Sequence, residues 1–211
     1  MTDIHVTDAT KSFGQRTLFS GLEFSVASGQ MTALTGPSGS GKSTVLNCIG
    51  LLERLDNGQI MIGGRNIVRF GPERQRKFRR DTLGYLFQDY ALIENATIQE
   101  NLEIAVAAKG RAAIRGANFD DALSRVGLAG RQREPIYQLS GGEQQRVALA
   151  RLIVKAPSVI VADEPTGALD AENEQMVLHE LQRIAQDGAS VLIATHSDTV
   201  AGACTEVLAL G

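Results

Sequence analysis

Apolar residues concentrate in three continuous runs, 31–35, 158–162 and 191–195, separated by stretches in which polar and apolar positions alternate or recur at helical spacing. An unbroken run of this length predicts a strand buried on both faces, as in a parallel sheet covered by helices. Each run ends beside chemically loaded residues: Gly36 and the glycine-rich stretch after it, the pair Asp163 and Glu164, and His196. Ligands of open α/β sheets bind outside the carboxyl ends of the strands, so three loaded strand ends predict one site.

Helical spacing fills the intervals. Residues 97–109 open on a capping box, Thr97 with Glu100, and place Ile98, Leu102, Ala105 and Val106 on one face. Asp170 can cap a second helix carrying Val177, Leu181 and Ile184 and stopped by Gly188. Residues 3–30 alternate polar and apolar positions between Gly14, Gly21 and Gly29, which predicts an antiparallel strand layer. The stretch 89–150 is largely helical with no strand pattern. The expectation is therefore one α/β domain over 1–211, in which 1–88 and 151–211 form a mostly parallel core with an antiparallel layer and 89–150 is an inserted helical subdomain.

Composition narrows the function classes. The 211 residues are 43% hydrophobic and 21% charged, ordinary for a globular protein and enough for a core. A net charge of −3 argues against bulk electrostatic binding to nucleic acid or anionic lipid. Two cysteines, Cys48 and Cys204, cannot build a disulfide framework and suit a reducing compartment. No apolar run is long enough to span a bilayer, and the N-terminus has neither the basic nor the apolar region of a secretory signal.

The richest stretch is Gly36, Pro37, Ser38, Gly39, Ser40, Gly41, Lys42, Ser43 and Thr44, which fits G-x-x-x-x-G-K-[ST] between a strand and a helix. Gly39 and Gly41 let backbone N–H groups turn inward around phosphate oxygens, and the next helix aims its positive end at them. Lys42 then reaches the β- and γ-phosphates, and the Ser43 hydroxyl can ligate Mg²⁺. Asp163 is placed to hold Mg²⁺ through water, and Glu164 to polarise an attacking water.

Ser140, Gly141, Gly142 and Glu143 also form a capping box, but that explains only the serine and the glutamate. Two adjacent glycines in a helix's first turn cost about 1 kcal/mol each relative to alanine. They make sense where a phosphate must approach the backbone closely. One chain thus carries two anion sites about a hundred residues apart, serving either two phosphates or a second molecule.

In this order, the phosphate loop, the Leu139-Ser-Gly-Gly helix start, the Asp-Glu strand end and the strand ending in His196 resemble the ATP-binding subunit of ABC transporters over nearly the whole chain. The resemblance implies a P-loop core and head-to-tail homodimers, in which each ATP lies between one subunit's phosphate loop and its partner's Ser140, Gly141 and Gly142. It implies Glu164 as general base and His196 as the switch histidine at the γ-phosphate. It further implies that Gln88, after a strand over 83–87, contacts Mg²⁺ and senses a membrane partner, that Ala168, Leu169 and Asp170 form the loop crossing the dimer interface, and that Phe13 stacks on adenine. A separate permease, docking near 88–101, would hold the cassette at the cytoplasmic face of the membrane.

Residues 164–170 and 140–148 resemble the branch of lipoprotein-release, macrolide-export and cell-division cassettes. The segment from Tyr90 to Asn95 departs from that branch, lacking its usual Leu-Pro, and is similar to lactococcin-type bacteriocin-export cassettes. The implied cargo is a peptide, bacteriocin, lipoprotein or drug-like molecule. The alternative is a cassette that signals mechanically to envelope enzymes. A soluble cassette of DNA repair or translation is disfavoured: there is no second cassette, no cysteine cluster and no room for a long coiled coil between Lys42 and Ser140. No regulatory appendix is expected after the last strand, which ends just before Gly211. The basic run 65–80 is expected to be a solvated helix face, His5 and His179 surface residues, and Cys48 a core residue.

Overall fold

The computed structural model describes residues 2–167 and 169–210. The three apolar runs are strands β3 (Met31–Thr35), β7 (Val159–Asp163) and β8 (Ser190–Ala194). With β6 (Leu83–Leu86) and β9 (Glu206–Ala209) they form a parallel sheet of order β6-β7-β8-β3-β9. Both faces are covered. In β7, Val159 and Val161 enter one core while Ile160 and Ala162 enter the other, the period-two alternation that makes such a strand uniformly apolar.

A second, antiparallel sheet of order β2-β1-β4-β5 comprises β1 (Ile4–Phe13), β2 (Arg16–Val26), β4 (Asn57–Ile62) and β5 (Arg65–Asn66). The sequence pattern located only β1 and β2. In β4 only Ile60, Met61 and Ile62 are apolar, and β5 is two residues long, too little for either to register as a strand. Gly58 is required where β4 passes β1: at φ 93°, an added Cβ would lie 2.3 Å from the carbonyl oxygen of Asp8, itself bulged at φ 49°.

Helices α1 (Lys42–Ile49) and α2 (Pro72–Asp81) join this sheet on one face of the parallel sheet through Val45, Leu46, Ile49 and Phe78. Cys48 is buried with them, and burial pushes its thiol up to about 12. Arg74, Arg76 and Lys77 of α2 are exposed, as are His5 and His179.

The other face carries α3 (Ile98–Ala107), α5 (Phe119–Arg125), α6 (Gly141–Lys155) and α7 (Ala171–Gln186), with the short α4 (Arg111–Gly116) between α3 and α5 and α8 (Asp198–Ala203) after β8. Thr97 and Ser140 make capping boxes at α3 and α6, and the Asp170 side chain accepts from the Asn173 N–H at α7. Helix α6 runs past residue 150 to Lys155 and packs on β6, so the expected edge of the helical insertion falls inside a continuous helix.

Candidate functional site

The loop between β3 and α1 is shaped by its glycines. Gly36, Gly39 and Gly41 all have positive φ, and no side chain caps α1, whose first N–H groups face the loop. A Cβ on Gly36 would stand 2.2 Å from the Leu210 carbonyl oxygen, so only glycine fits there. The Lys42 ammonium donates to the carbonyls of Gly36 (2.8 Å) and Pro37 (3.2 Å), which hold it in the cradle. The Ser40 hydroxyl is buried with no hydrogen-bond partner among the described residues. Such an orphan fits a cradle that a phosphate completes.

A cleft of about 460 Å³ opens over this loop. Ser38, Gly39, Gly41, Lys42, Ser43, Thr44, Gln88, Asp163, Glu164 and His196 line it, gathered from the carboxyl ends of β3, β6, β7 and β8. Desolvation raises the pKa of Asp163, partly offset by a hydrogen bond from Ser43 and by Lys42. The Asp163 carboxylate and the Ser43 hydroxyl are hard oxygen donors suited to Mg²⁺.

Glu164 leaves β7 in the left-handed region at φ 45°, strain of a kind that concentrates at functional positions. Its N–H donates to the Ala194 carbonyl (2.9 Å), locking the turn to β8. One carboxylate oxygen lies 2.7 Å from His196 Nδ1 and the other accepts from the buried Thr195 hydroxyl at 3.3 Å. Thr195 in turn accepts from the Ser197 N–H, so it orients the carboxylate from beneath.

The remaining site residues stand elsewhere. Phe13, at the end of β1, is 49% exposed and presents its ring 4.7 Å from the Lys11 ammonium. Ser140, Gly141, Gly142 and Glu143 open α6 outside the cleft lining. There the Glu143 carboxylate accepts from the Ser140 N–H (2.8 Å) and from Arg131, which, with Arg131 foremost, drives its pKa down to about 2. Gly142 faces Leu169 and Asn173, and Asn173 donates to Asp170 and accepts from Arg146. The α6 start and Asp170 thus form a second cluster. Ala168, expected in the same interface loop, lies outside the described residues.

The cleft-lining Arg16 and Leu18, and Thr195 buried beneath the cleft, escaped the sequence pattern. Arg16 donates to the Gly39 carbonyl (3.2 Å) and lines the cleft, and Thr195 holds Glu164. A lone arginine after a hairpin turn and a threonine ending an apolar strand carry no spacing signal; both become visible only through the contact.

The chain is similar in sequence and in fold to known proteins. The ABC transporter family profile matches residues 19–167. The pyoverdine export ATP-binding/permease protein PvdT of Pseudomonas syringae pathovar tomato is 40% identical over 189 residues, 89% of this chain and 29% of PvdT. The macrolide export ATP-binding/permease protein MacB of Marinobacter nauticus is 38% identical over 203 residues, 94% of this chain and 32% of MacB. The chain therefore spans about a third of the length of these curated relatives. Among solved structures, the dimeric bacterial ABC transporter cassette MJ0796 superposes with a TM-score of 0.86 at 31% identity, covering 98% of this chain and 94% of that one. A post-hydrolysis dimer of MJ0796 bound to ADP and Pi gives 0.84 at 30% identity, with the same coverage.

Proposed function

The chain belongs to the ABC transporter family, and from that premise we propose that it is the ATP-hydrolysing cassette of an exporter, working as a head-to-tail homodimer under a membrane permease. One observation carries the dimer: the phosphate-loop cleft and the glycine-opened start of α6 are separate surfaces of one chain, each suited to part of a nucleotide. Head-to-tail pairing sets the partner's Ser140, Gly141 and Gly142 over the nucleotide held by Gly36 to Thr44, with Phe13 against the adenine. The ADP- and Pi-bound state of MJ0796 supports hydrolysis at such a site.

Ser43, Gln88 and, through water, Asp163 would hold Mg²⁺, which supplies charge neutralisation at the β- and γ-phosphates. Glu164 exchanges its contact with His196 for the attacking water, orients it in line with the γ-phosphorus and takes its proton on the carboxylate. His196, freed, reaches the γ-phosphate and, with Lys42 and the partner's Ser140, stabilises the charge that develops there. Asp170 sits at the interface between subunits, and loss of the γ-phosphate loosens the pair.

The permease would dock on residues 88–101. Ile93 in that segment is 51% exposed and Ile104 on α3 is 49% exposed, apolar surface of the kind partners cover. Among the described residues no helix is long and apolar enough to cross a membrane. The names of PvdT and MacB support export, and the cargo proposed is a peptide, bacteriocin, lipoprotein or drug-like molecule.

The Glu164→Gln variant tests this reading. With Mg-ATP it should bind nucleotide as the parent does, lose nearly all turnover and elute as a dimer that retains a polytopic membrane protein from detergent-solubilised membranes. Unchanged hydrolysis would remove Glu164 as the base, and recovery of soluble partners alone would remove the permease.

A further inference from the structure

The segment that leaves Gln88 is held in an unusual way. Tyr90 and Ala91 are consecutive left-handed residues, at φ 62° and 47°, and neither is glycine. Two such residues persist in series only when their surroundings hold them. The holder is Arg151, on the third turn of α6. Its guanidinium donates to the Ala91 carbonyl at 2.6 Å and also to the Tyr90 carbonyl. Among the described residues no carboxylate pairs with Arg151, and burial lowers its pKa, so these two carbonyls are what the desolvated cation gains.

Further contacts tie the same segment to the same helices. The Tyr90 hydroxyl stands 3.6 Å from where a Cβ on Gly141 would lie, directly beside the α6 start. The buried Asn101 of α3 accepts from the Ile93 N–H (2.8 Å) and donates to the Ile93 carbonyl (3.1 Å). Gln88 and Asp89 therefore bridge two anchorages, β6 on one side and the α3–α6 pair on the other.

We propose that Arg151 is a positioning residue whose forked guanidinium fastens the Gln88 loop to the helix that opens at Ser140, so that a displacement of the helix start is delivered to Gln88. Two adjacent carbonyls suit a planar fork whose N–H donors are fixed relative to one another; a lysine ammonium, one donor centre on a flexible stem, fixes their geometry less rigidly. The inference rests on the roles proposed above for Gln88 and for Ser140 to Gly142.

The test is amide hydrogen exchange in the full chain carrying Glu164→Gln, with and without Mg-ATP, alone and combined with Arg151→Lys. In the parent, nucleotide should slow exchange in both 141–146 and 88–93. With Arg151→Lys, protection of 141–146 should persist while 88–93 exchanges on the order of tenfold faster, the scale of one charged hydrogen bond. Adding Ala91→Gly should restore part of that protection, because glycine adopts the left-handed conformation without being held. Unchanged exchange at 88–93 would overturn the proposal. So would faster exchange along the whole of α6, which would make Arg151 a packing residue. If nucleotide protects neither segment in the parent, the assigned roles of Gln88 and Ser140 fail, while nucleotide-free exchange at 88–93 still decides whether Arg151 fastens the loop.

Discussion

Glu143 shows how one side chain can hold a helix end and leave its backbone free for a ligand. Its carboxylate is spent on the Ser140 N–H and on Arg131, so what α6 presents outward is the bare peptide of Gly141 and Gly142. Since its pKa falls to about 2, this carboxylate stabilises the folded state fully above its ordinary 4.5, and the contribution is lost as pH falls from there towards 2. Glu143→Gln should lower the thermal midpoint at pH 7, and its difference from the parent should shrink steadily between pH 4.5 and 2; a difference independent of pH would mean packing, not charge, holds the cap. At this scale the sequence was informative where chemistry comes in runs. Lys42, Ser43, Asp163 and Glu164 were legible from spacing and from the strands they end. Gln88 and Phe13 had meaning only through the family resemblance, and His196, legible as a loaded strand end, took its role from it. Arg16 and Thr195 were silent, because their work depends on what lies across the cleft.

At the scale of elements, close approach decides more than propensity. Gly84 in β6 faces the α6 end, where an added Cβ would fall 2.6 Å from Pro157 Cγ and 2.7 Å from Leu152 Cδ2. Gly84→Ala should therefore push α6 from the sheet and cost about 1–3 kcal/mol in a denaturant titration, the usual penalty of overpacking. A cost near zero would show that α6 yields freely at its sheet end. The strands β3, β7 and β8 were legible from apolar runs buried on both faces, and the helices α3 and α7 from a capping box and an aspartate N-cap. Strands β4 and β5 were not, since β4 pairs through a glycine forced by a bulge in another strand, a non-local cause that leaves no local pattern.

For the whole molecule, the order β6-β7-β8-β3-β9 gathers four strand ends into one cleft while the chain places the α6 start and Asp170 outside it. Strand order cannot be read from apolar runs, although the convergence of their ends could. If two chains complete each other, subunits should complement. Lys42→Ala and Ser140→Ala variants should each be inactive alone, yet a mixture should recover hydrolysis, because the mixed dimer keeps one site built from an intact loop and an intact helix start. No recovery would mean both surfaces serve the same chain's nucleotide.

Helix α6 has 15 residues and is roughly 22 Å long. It begins at the proposed partner's phosphate, grips the Gln88 loop through Arg151 about two thirds of the way along, and is seated on β6 near its far end. It therefore has the proportions of a lever whose fulcrum is the sheet. A tilt of about 10° about that end would swing the Ser140 tip by roughly 4 Å while the grip at Arg151 moves only about an ångström. A nucleotide-sized stroke at the tip becomes a short, forceful displacement near the surface where a permease would rest.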